Sequence, residues 1–327
     1  MLGKYWVFIL GFFVSLIVAP FVIKLATKLK CGQNILSYVD KHKSKQGTPT
    51  MGGVIFLLSL LVCFLVVFNK NSRLSAIVVL VTFSYGLLGF LDDFLKIKLK
   101  HNEGLKAYQK FIGQFGIAII IALFVYYTSM VSDAIILPFG LKTLNLGWGI
   151  IPFVILFFVA VTNSVNLTDG LDGLAGSVSL VNVLGVALVL TTVMTRIEFP
   201  APIEEYQNLV LLCFALCGGL LGYLVYNFNP ASIFMGDTGS LALGGFLASV
   251  LTFTNLYLMI FFVGIMLVIN TASVVIQVGY YKMTKKRVFK MAPLHHHFEQ
   301  CGIKETKIVF CYVAISIIMM LISIIIF

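Results

Sequence analysis

Roughly ten apolar runs, each of about 20 residues, follow one another along the chain, and this succession limits its fold more than any other feature. A run of that kind crosses a bilayer as a helix because every backbone N–H and C=O must find its partner inside the segment once water is excluded. The runs centre on Phe13, Leu60, Val81, Ile120, Leu156, Leu184, Ala215, Leu247, Met266 and Ile318. Joined mostly by short connections, they predict an all-α polytopic membrane protein of about ten transmembrane helices, built as one domain over residues 1–327. Apolar residues make up 60% of the chain and charged residues 11%, which excludes an ordinary soluble domain. The first run ends in Val18, Ala19 and Pro20, without a small-x-small cleavage site, and reads as a retained helix. The ninth, from Asn255 to about Tyr281, would measure about 40 Å as a straight helix, so it should tilt, bend or project beyond the hydrocarbon.

Ten spans put both termini on one side and divide the loops into two sets. Lys4, Lys70, Arg73, Lys142 and Arg196 fall in one set, and the remaining eighteen of the 23 lysines and arginines fall in the other. These lie in Lys24 to Lys45, Lys96 to Lys110 and Lys282 to Lys290, with Lys304 and Lys307. The positive-inside rule makes this richer set cytoplasmic and places both termini outside. Insertion and attraction to anionic lipid account for much of the net charge of +10, so membrane lipid rather than nucleic acid is the expected partner of this surface. All five histidines and nine of the 13 acids also fall on the cytoplasmic side, which insertion does not require.

The six cysteines form no CxxC pair and imply no disulfide framework. Cys63, Cys213, Cys217 and Cys311 sit in apolar runs as small fillers, and Cys31 and Cys301 lie in predicted cytoplasmic loops, where a reducing compartment keeps them as thiols.

Four polar constellations cluster at the predicted cytoplasmic helix ends. Gly89-Phe90-Leu91-Asp92-Asp93 closes the third run. Adjacent acids on a helix point about 100° apart, so the pair suits two tasks, metal or proton chemistry, better than one shared ligand; solvation or pairing with Lys96 is the plain alternative. Asn163, Asn166, Asp169 and Asp172 are spaced by three, with Gly170 and Gly173 interrupting, which predicts a turn with exposed amides suited to a nucleotide.

The third constellation, Asn227-Phe228-Asn229-Pro230 followed by Phe234 to Ser240, is a loop feeding a helix. Amides at such a helix start attract phosphate, Asp237 can carry a divalent cation and Phe234 can stack on a base; capping by Asp237 and Thr238 would leave Asn227 and Asn229 unused. The fourth, Ala292 to Glu299, contains His295, His296 and His297. Consecutive imidazoles do not converge readily on a tetrahedral zinc, so binding an anionic phosphate or orienting a substrate through hydrogen bonds is the reading preferred. Two other segments look structural: Ile135 to Leu146 as a small outer hairpin, and Arg196 to Tyr206 as a short surface helix after Pro202.

Over its whole length the chain resembles the phospho-N-acetylmuramoyl-pentapeptide transferases, within the superfamily of polyprenyl-phosphate N-acetylhexosamine-1-phosphate transferases. The resemblance rests on Lys45 to Gly53, Gly89 to Asp93, Asn166 to Leu174, Phe234 to Ser240 and Pro293 to Glu299, in family order. It implies transfer of phospho-N-acetylmuramoyl-pentapeptide from its UDP carrier to undecaprenyl phosphate, giving lipid I and UMP for peptidoglycan synthesis. It also implies magnesium (Mg2+) as cofactor, ten membrane helices, a cytoplasmic active-site cleft in the bacterial plasma membrane, a homodimer, and inhibition by nucleoside antibiotics such as tunicamycin and muraymycins.

Carried over residue by residue, the family pattern makes Asp92, Asp93, Asp237 and His295 catalytic. Asp237 leads as magnesium ligand and Asp93 joins it; Asp92 and Asp93 complete the metal site or deprotonate the lipid phosphate. Lys45, Lys110 and His295 hold phosphates, and His296 and His297 join the substrate contacts. Thr50, Gly170, Leu171, Asp172, Asn227, Phe234 and Gln277 surround the nucleoside, with Asn166 and Asp169 beside the diphosphate. Two rival readings are an N-acetylglucosamine-1-phosphate transferase using UDP-N-acetylglucosamine, from which the Pro293 to Glu299 segment points away, and a membrane transporter. A transporter would hold its acids near the bilayer midplane, whereas these lie at helix ends.

Overall fold

The computed structural model describes residues 6–29, 47–67, 72–99 and 104–327. Lys45, expected to hold phosphate, lies outside the described residues, as do Cys31, His42 and His101. Each apolar run holds a helix: α1 (Trp6–Lys28), α2 (Gly53–Val67), α3 (Arg73–Leu99), α4 (Ala107–Tyr127), α5 (Ile150–Thr168), α6 (Leu174–Val193), α7 (Ile203–Asn227), α8 (Gly236–Phe253), α9 (Ile265–Thr284) and α11 (Glu305–Ile326). A short α10 (Leu294–Gln300) precedes the last of them.

Eight of these helices are long and apolar enough to cross a membrane, which makes the chain a multi-pass membrane protein. The 15-residue α2 is shorter. α8 is buried at every position from Thr238 to Phe253, packed chiefly against α3 and α5. A helix enclosed by other helices needs no lipid-facing stripe, so it can carry the glycines and polar first turn that a lipid-exposed span would avoid.

In lipid, helices gain little from hiding apolar surface from one another, and close packing takes its place. Small residues supply that contact. Gly218 and Gly222 lie one turn apart on α7, where a β-carbon would meet the backbone of Phe8 and Phe12 on α1. At Gly89 on α3 a β-carbon would collide with the backbone of Asp237, so the α3–α8 crossing requires glycine there.

Two expectations change. The ninth run is not one helix: a 3-10 turn at Tyr257–Phe261 precedes α9, and Asn255 adopts a φ of 57°. Its amide donates to the carbonyls of Ser132 and Ala134, both at 2.7 Å, and its own carbonyl accepts from Ile136 N–H at 3.0 Å. The chain turns at Asn255 because that residue is tied to the hairpin β1 (Ala134–Ile136) and β2 (Thr143–Asn145), whose antiparallel register sets Ile135 opposite Leu144.

The segment after Arg196 forms no separate surface helix. Pro202 caps the long α7 directly. Glu205 in its first turn is buried and accepts the N–H groups of Arg73 and Leu74 at 3.1 and 2.9 Å, capping α3, while Tyr206 is fully buried. Those contacts draw the segment into the bundle.

Candidate active site

The C-terminal end of α3, the start of α4, the α5–α6 turn, the loop into α8 and the segment from α9 to α11 meet at one end of the bundle. The α3–α8 crossing at Gly89 brings Asp92 and Asp93 beside the start of α8, and the two carboxylates diverge. Asp93 accepts Asp237 N–H at 3.1 Å, Thr238 N–H at 2.9 Å and the Thr238 hydroxyl at 2.7 Å, so its oxygens cap α8 from the neighbouring helix.

Asp92 faces the other way. Its Oδ1 accepts Leu105 N–H at 2.8 Å, and its Oδ2 lies 2.6 Å from Lys96 Nζ and 3.8 Å from Lys110 Nζ. Asp237 Oδ2 takes the same two ammonium groups, at 2.6 Å from Lys96 and 3.0 Å from Lys110. Asn166 donates to Asp237 Oδ1 and, at 2.8 Å, to Ser240 Oγ. Asp92 and Asp237 are thus held by the opposite charges of Lys96 and Lys110, and Asp93 by neutral donors.

Asp92, Asp93 and Asp237 each offer an oxygen within 4.8 Å of the others, a donor set of hard carboxylates that suits a divalent cation. A cleft of about 1130 Å³ opens onto two of them, lined by Asp92, Lys96, Lys110, Asn166 and Asp237 together with apolar Leu99, Leu105 and Ala107. Asp93 does not line it.

The segment before α2 reaches this cluster through backbone pairing: Phe234 N–H donates to Pro49 at 2.8 Å, Gly52 N–H to Phe234 at 2.8 Å and Gly53 N–H to Met235 at 3.0 Å. Thr50 is buried there, and a β-carbon on Gly236 would lie 2.7 Å from its hydroxyl and 2.6 Å from Asp93. The Phe234 side chain remains partly exposed.

α5 stops at Thr168, and the chain turns through residues 169–173 with Gly173 at a φ of 78°, as the interrupting glycines predict. Asn227 fixes the turn to the next loop, accepting Gly173 N–H at 3.1 Å and donating to Ile233 at 2.8 Å. Asp172 accepts from the Asn229 amide and from Ala231 N–H. Leu171 is buried beneath the turn. Burial pushes the Asp169 carboxyl up to about 8, helped by the negative charges of Asp237, Asp93 and Asp172.

His295 and His296 lie over Gly170, where a β-carbon would strike both rings. His295 is fully buried with neither ring nitrogen hydrogen-bonded among the described residues. Burial, and secondarily the neighbouring His296, lowers it to about 3, against a weaker pull from Glu299, so it is neutral at physiological pH and offers hydrogen bonds instead of charge. His296 Nδ1 sits 3.1 Å from Glu299.

Gln277 and His297 are drawn elsewhere. The Gln277 carbonyl accepts Val288 and Phe289 N–H at 3.1 and 2.9 Å, its amide donates to Phe289 at 3.3 Å, and His297 Nδ1 accepts Lys290 N–H at 3.1 Å. Both hold the loop between α9 and α10. Asn163 pairs with Gln114 on α4, its amide donating at 2.6 Å, and stays out of the cluster.

Three residues at this end were not selected from sequence as site residues: Lys96, Ser240 and Glu305. Lys96 carried a signal, since it stands four residues after Asp92 on the same helical face. Ser240 closes the Phe234 to Ser240 motif but was given no role there, whereas Glu305 belongs to a contact between distant segments and no local pattern marks it.

Residues 75–255, more than half of the chain, match the profile of Glycosyl transferase family 4, and residues 45–57 match signature 1 of the phospho-N-acetylmuramoyl-pentapeptide-transferases. Among curated relatives, the phospho-N-acetylmuramoyl-pentapeptide-transferase of Clostridium novyi is 45% identical over 316 residues, covering 96% of this chain and 94% of its own. The protein of the same name from Listeria innocua is 41% identical over 322 residues, covering 97% and 96%. That from Acetivibrio thermocellus is 42% identical over 317 residues, covering 96% and 92%.

Proposed function

The chain belongs to the phospho-N-acetylmuramoyl-pentapeptide-transferase family, and from that membership we propose that it transfers phospho-N-acetylmuramoyl-pentapeptide from its UDP carrier to undecaprenyl phosphate, forming lipid I and UMP. The observation that carries this reading is the meeting of Asp92 and Asp237 with Lys96 and Lys110 on the wall of one cleft. Phosphoryl transfer asks a protein mainly to position anions and to neutralise the charge that develops between them, and carboxylates beside mobile ammonium groups provide the parts for both.

In the reaction a lipid phosphate oxygen attacks the sugar-bearing phosphorus, the bond to the UMP oxygen breaks, and UMP leaves with that electron pair. Asp237 and Asp92, whose oxygens face the cleft, would hold a magnesium ion, with Asp93 fixing the start of α8 behind them. Bound magnesium would supply charge neutralisation on the diphosphate. Lys96 and Lys110 then pass from the carboxylates to phosphate oxygens, and Lys45 adds a third cation. Asn166 orients Asp237 and lies beside the diphosphate with Asp169. Asp92 also takes any proton the lipid phosphate retains, a modest service because a phosphate's second pKa lies near 6.

The turn at Gly170, Leu171 and Asp172, with Thr50, Asn227 and Phe234, receives the uridine. Gln277 and His297 shape that side by fixing the 285–291 loop, while His295 and His296 close over Gly170 and donate hydrogen bonds to phosphate. This end of the bundle faces the cytoplasm in the proposal, and a homodimer and inhibition by nucleoside antibiotics follow the same family reading. An engineered thiol at Lys290 should resist an impermeant reagent in intact cells while one at Lys142 reacts.

The deciding assay combines purified protein, magnesium and undecaprenyl phosphate with either UDP-N-acetylmuramoyl-pentapeptide or UDP-N-acetylglucosamine. UMP release is expected with the first alone. Turnover with the second alone would move the protein to the other branch, and release with neither would remove the enzymatic reading.

A further inference from the structure

Glu305 stands in the first turn of α11, outside every motif the sequence marks, yet it reaches into the turn between α5 and α6. Its Oε1 accepts the backbone N–H of Asp172 at 2.6 Å, and its Oε2 accepts the Asn229 amide at 3.2 Å. The same Asn229 amide donates at 3.2 Å to Asp172 Oδ2, which also accepts Ala231 N–H at 3.1 Å. One carboxylate therefore joins three segments distant in sequence: the 169–173 turn, the 227–234 loop and the start of α11.

Glu305 adds to the ties that Asn227 makes to Gly173 N–H and that Asp172 Oδ2 makes to the 229–231 segment. Gly170 and Gly173 give the turn backbone freedom that L side chains would not, and Gly173 adopts a left-handed φ of 78°. A hydrogen bond from a backbone N–H to a carboxylate is about twice as strong as one to a neutral acceptor, so the 2.6 Å contact of Glu305 is a strong tie on the Asp172 peptide.

We propose that Glu305 is a positioning residue for the nucleotide: by accepting the Asp172 N–H and the Asn229 amide, it fixes the 169–173 turn in the form that receives uridine. This rests on the reading of that turn as the nucleoside site. Glu305 touches none of the reacting atoms; it acts through Asp172 and Asn229, and its removal alters how well the nucleotide is held while leaving the acid and lysine cluster as it was.

Two measurements on the full chain separate this proposal from the reading beneath it. Hydrogen-exchange mass spectrometry of the peptide spanning 166–174 reports the tie directly, and UMP binding with KM for the UDP substrate reports its consequence. Glu305→Ala should speed exchange in that peptide and weaken UMP binding and KM about tenfold, the scale of one charge-assisted hydrogen bond, with kcat within about twofold and the lipid KM unchanged. Glu305→Gln, which keeps an acceptor for the Asp172 N–H, should recover most of both effects.

Unchanged exchange in Glu305→Ala would overturn the positioning role. Faster exchange with unaltered UMP binding would instead show that the turn does not hold the nucleotide, removing the reading on which the proposal stands. A parallel loss of kcat and of lipid affinity, unrecovered by Gln, would make Glu305 a general structural residue and would also overturn it.

Discussion

On the α3–α4–α8 wall of the cleft, Asp92 and Asp237 direct oxygens at Lys96 and Lys110, whereas outside its lining Gln277 and His297 turn onto the backbone of the loop between α9 and α10. Both groups are rich in polar side chains drawn from sequence motifs. They differ in what those side chains meet. Charge paired with charge can exchange partners when a phosphate or a cation arrives, because each ion pair has a ready substitute. A side chain that satisfies buried or half-buried backbone cannot leave without orphaning a donor. The first group is thus suited to chemistry and the second to holding shape, and Asp93 belongs with the second kind although it adjoins Asp92.

The sharpest way to break this division is to neutralise one acid on each side of it. Asp92→Asn should lower turnover by about three orders of magnitude, the upper range for removing one electrostatic group from a phosphoryl or acyl transfer site, while UMP binding stays near wild type and stability falls less than in the Asp93 variant, since Asp92 meets one backbone donor, Leu105 N–H. Asp93→Asn should lose about a hundredfold in rate and also lower the thermal midpoint, because an amide facing the Asp237 and Thr238 donors forfeits a cap worth about 1 to 2 kcal/mol. Equal stability of the two variants, compared by thermal melting, would erase the distinction between a cleft acid and a capping acid.

A smaller effect is expected at the loop between α9 and α10. Gln277→Ala removes the acceptor for Val288 and Phe289 N–H, and should raise KM for the UDP substrate about threefold, below the loss of a charged contact. Hydrogen exchange over 286–290 should quicken. Should kcat fall as steeply as in Asp92→Asn, Gln277 would belong to the chemistry.

The effect that is smallest at neutral pH is one of acidity. His295 sits in the fold at about 3, below its usual 6.5, so between those values the unfolded chain binds a proton that the folded chain refuses. The stability this contributes is complete above about pH 6.5 and drains away as pH falls toward 3. Replacing it by His295→Gln should flatten the fall of the thermal midpoint across that window, and an unaltered slope would mean that His295 is hydrated and charged in the fold.

The helices were legible because bilayer thickness writes itself into run length, and α1, α3 and α7 lie where their apolar runs stand. The break after Asn255 was not, since it depends on amide bonds to Ser132 and Ala134, more than a hundred residues away. The same holds within the site. The divergence of Asp92 from Asp93 follows from helical geometry and could be read directly, but what each meets is decided by Gly89 letting α8 approach. Gln277 and His297 could be placed near the nucleotide by family pattern, yet their use in bracing a loop appears only when Val288, Phe289 and Lys290 are folded back upon them. Chemistry-bearing residue types are visible in a sequence; the partner that leaves them available or engages them is a property of the packing.

The central claim, that the acids facing the cleft hold the cation and Asp93 supports them from behind, is tested most directly by magnesium-binding isotherms of Asp237→Asn beside Asp93→Asn. Asp237 accepts both lysines and lines the cleft, so its substitution should abolish measurable magnesium binding, while the Asp93 variant, at a temperature below its own unfolding, should keep binding within about tenfold of wild type. Binding retained in Asp237→Asn and lost in Asp93→Asn would contradict the account.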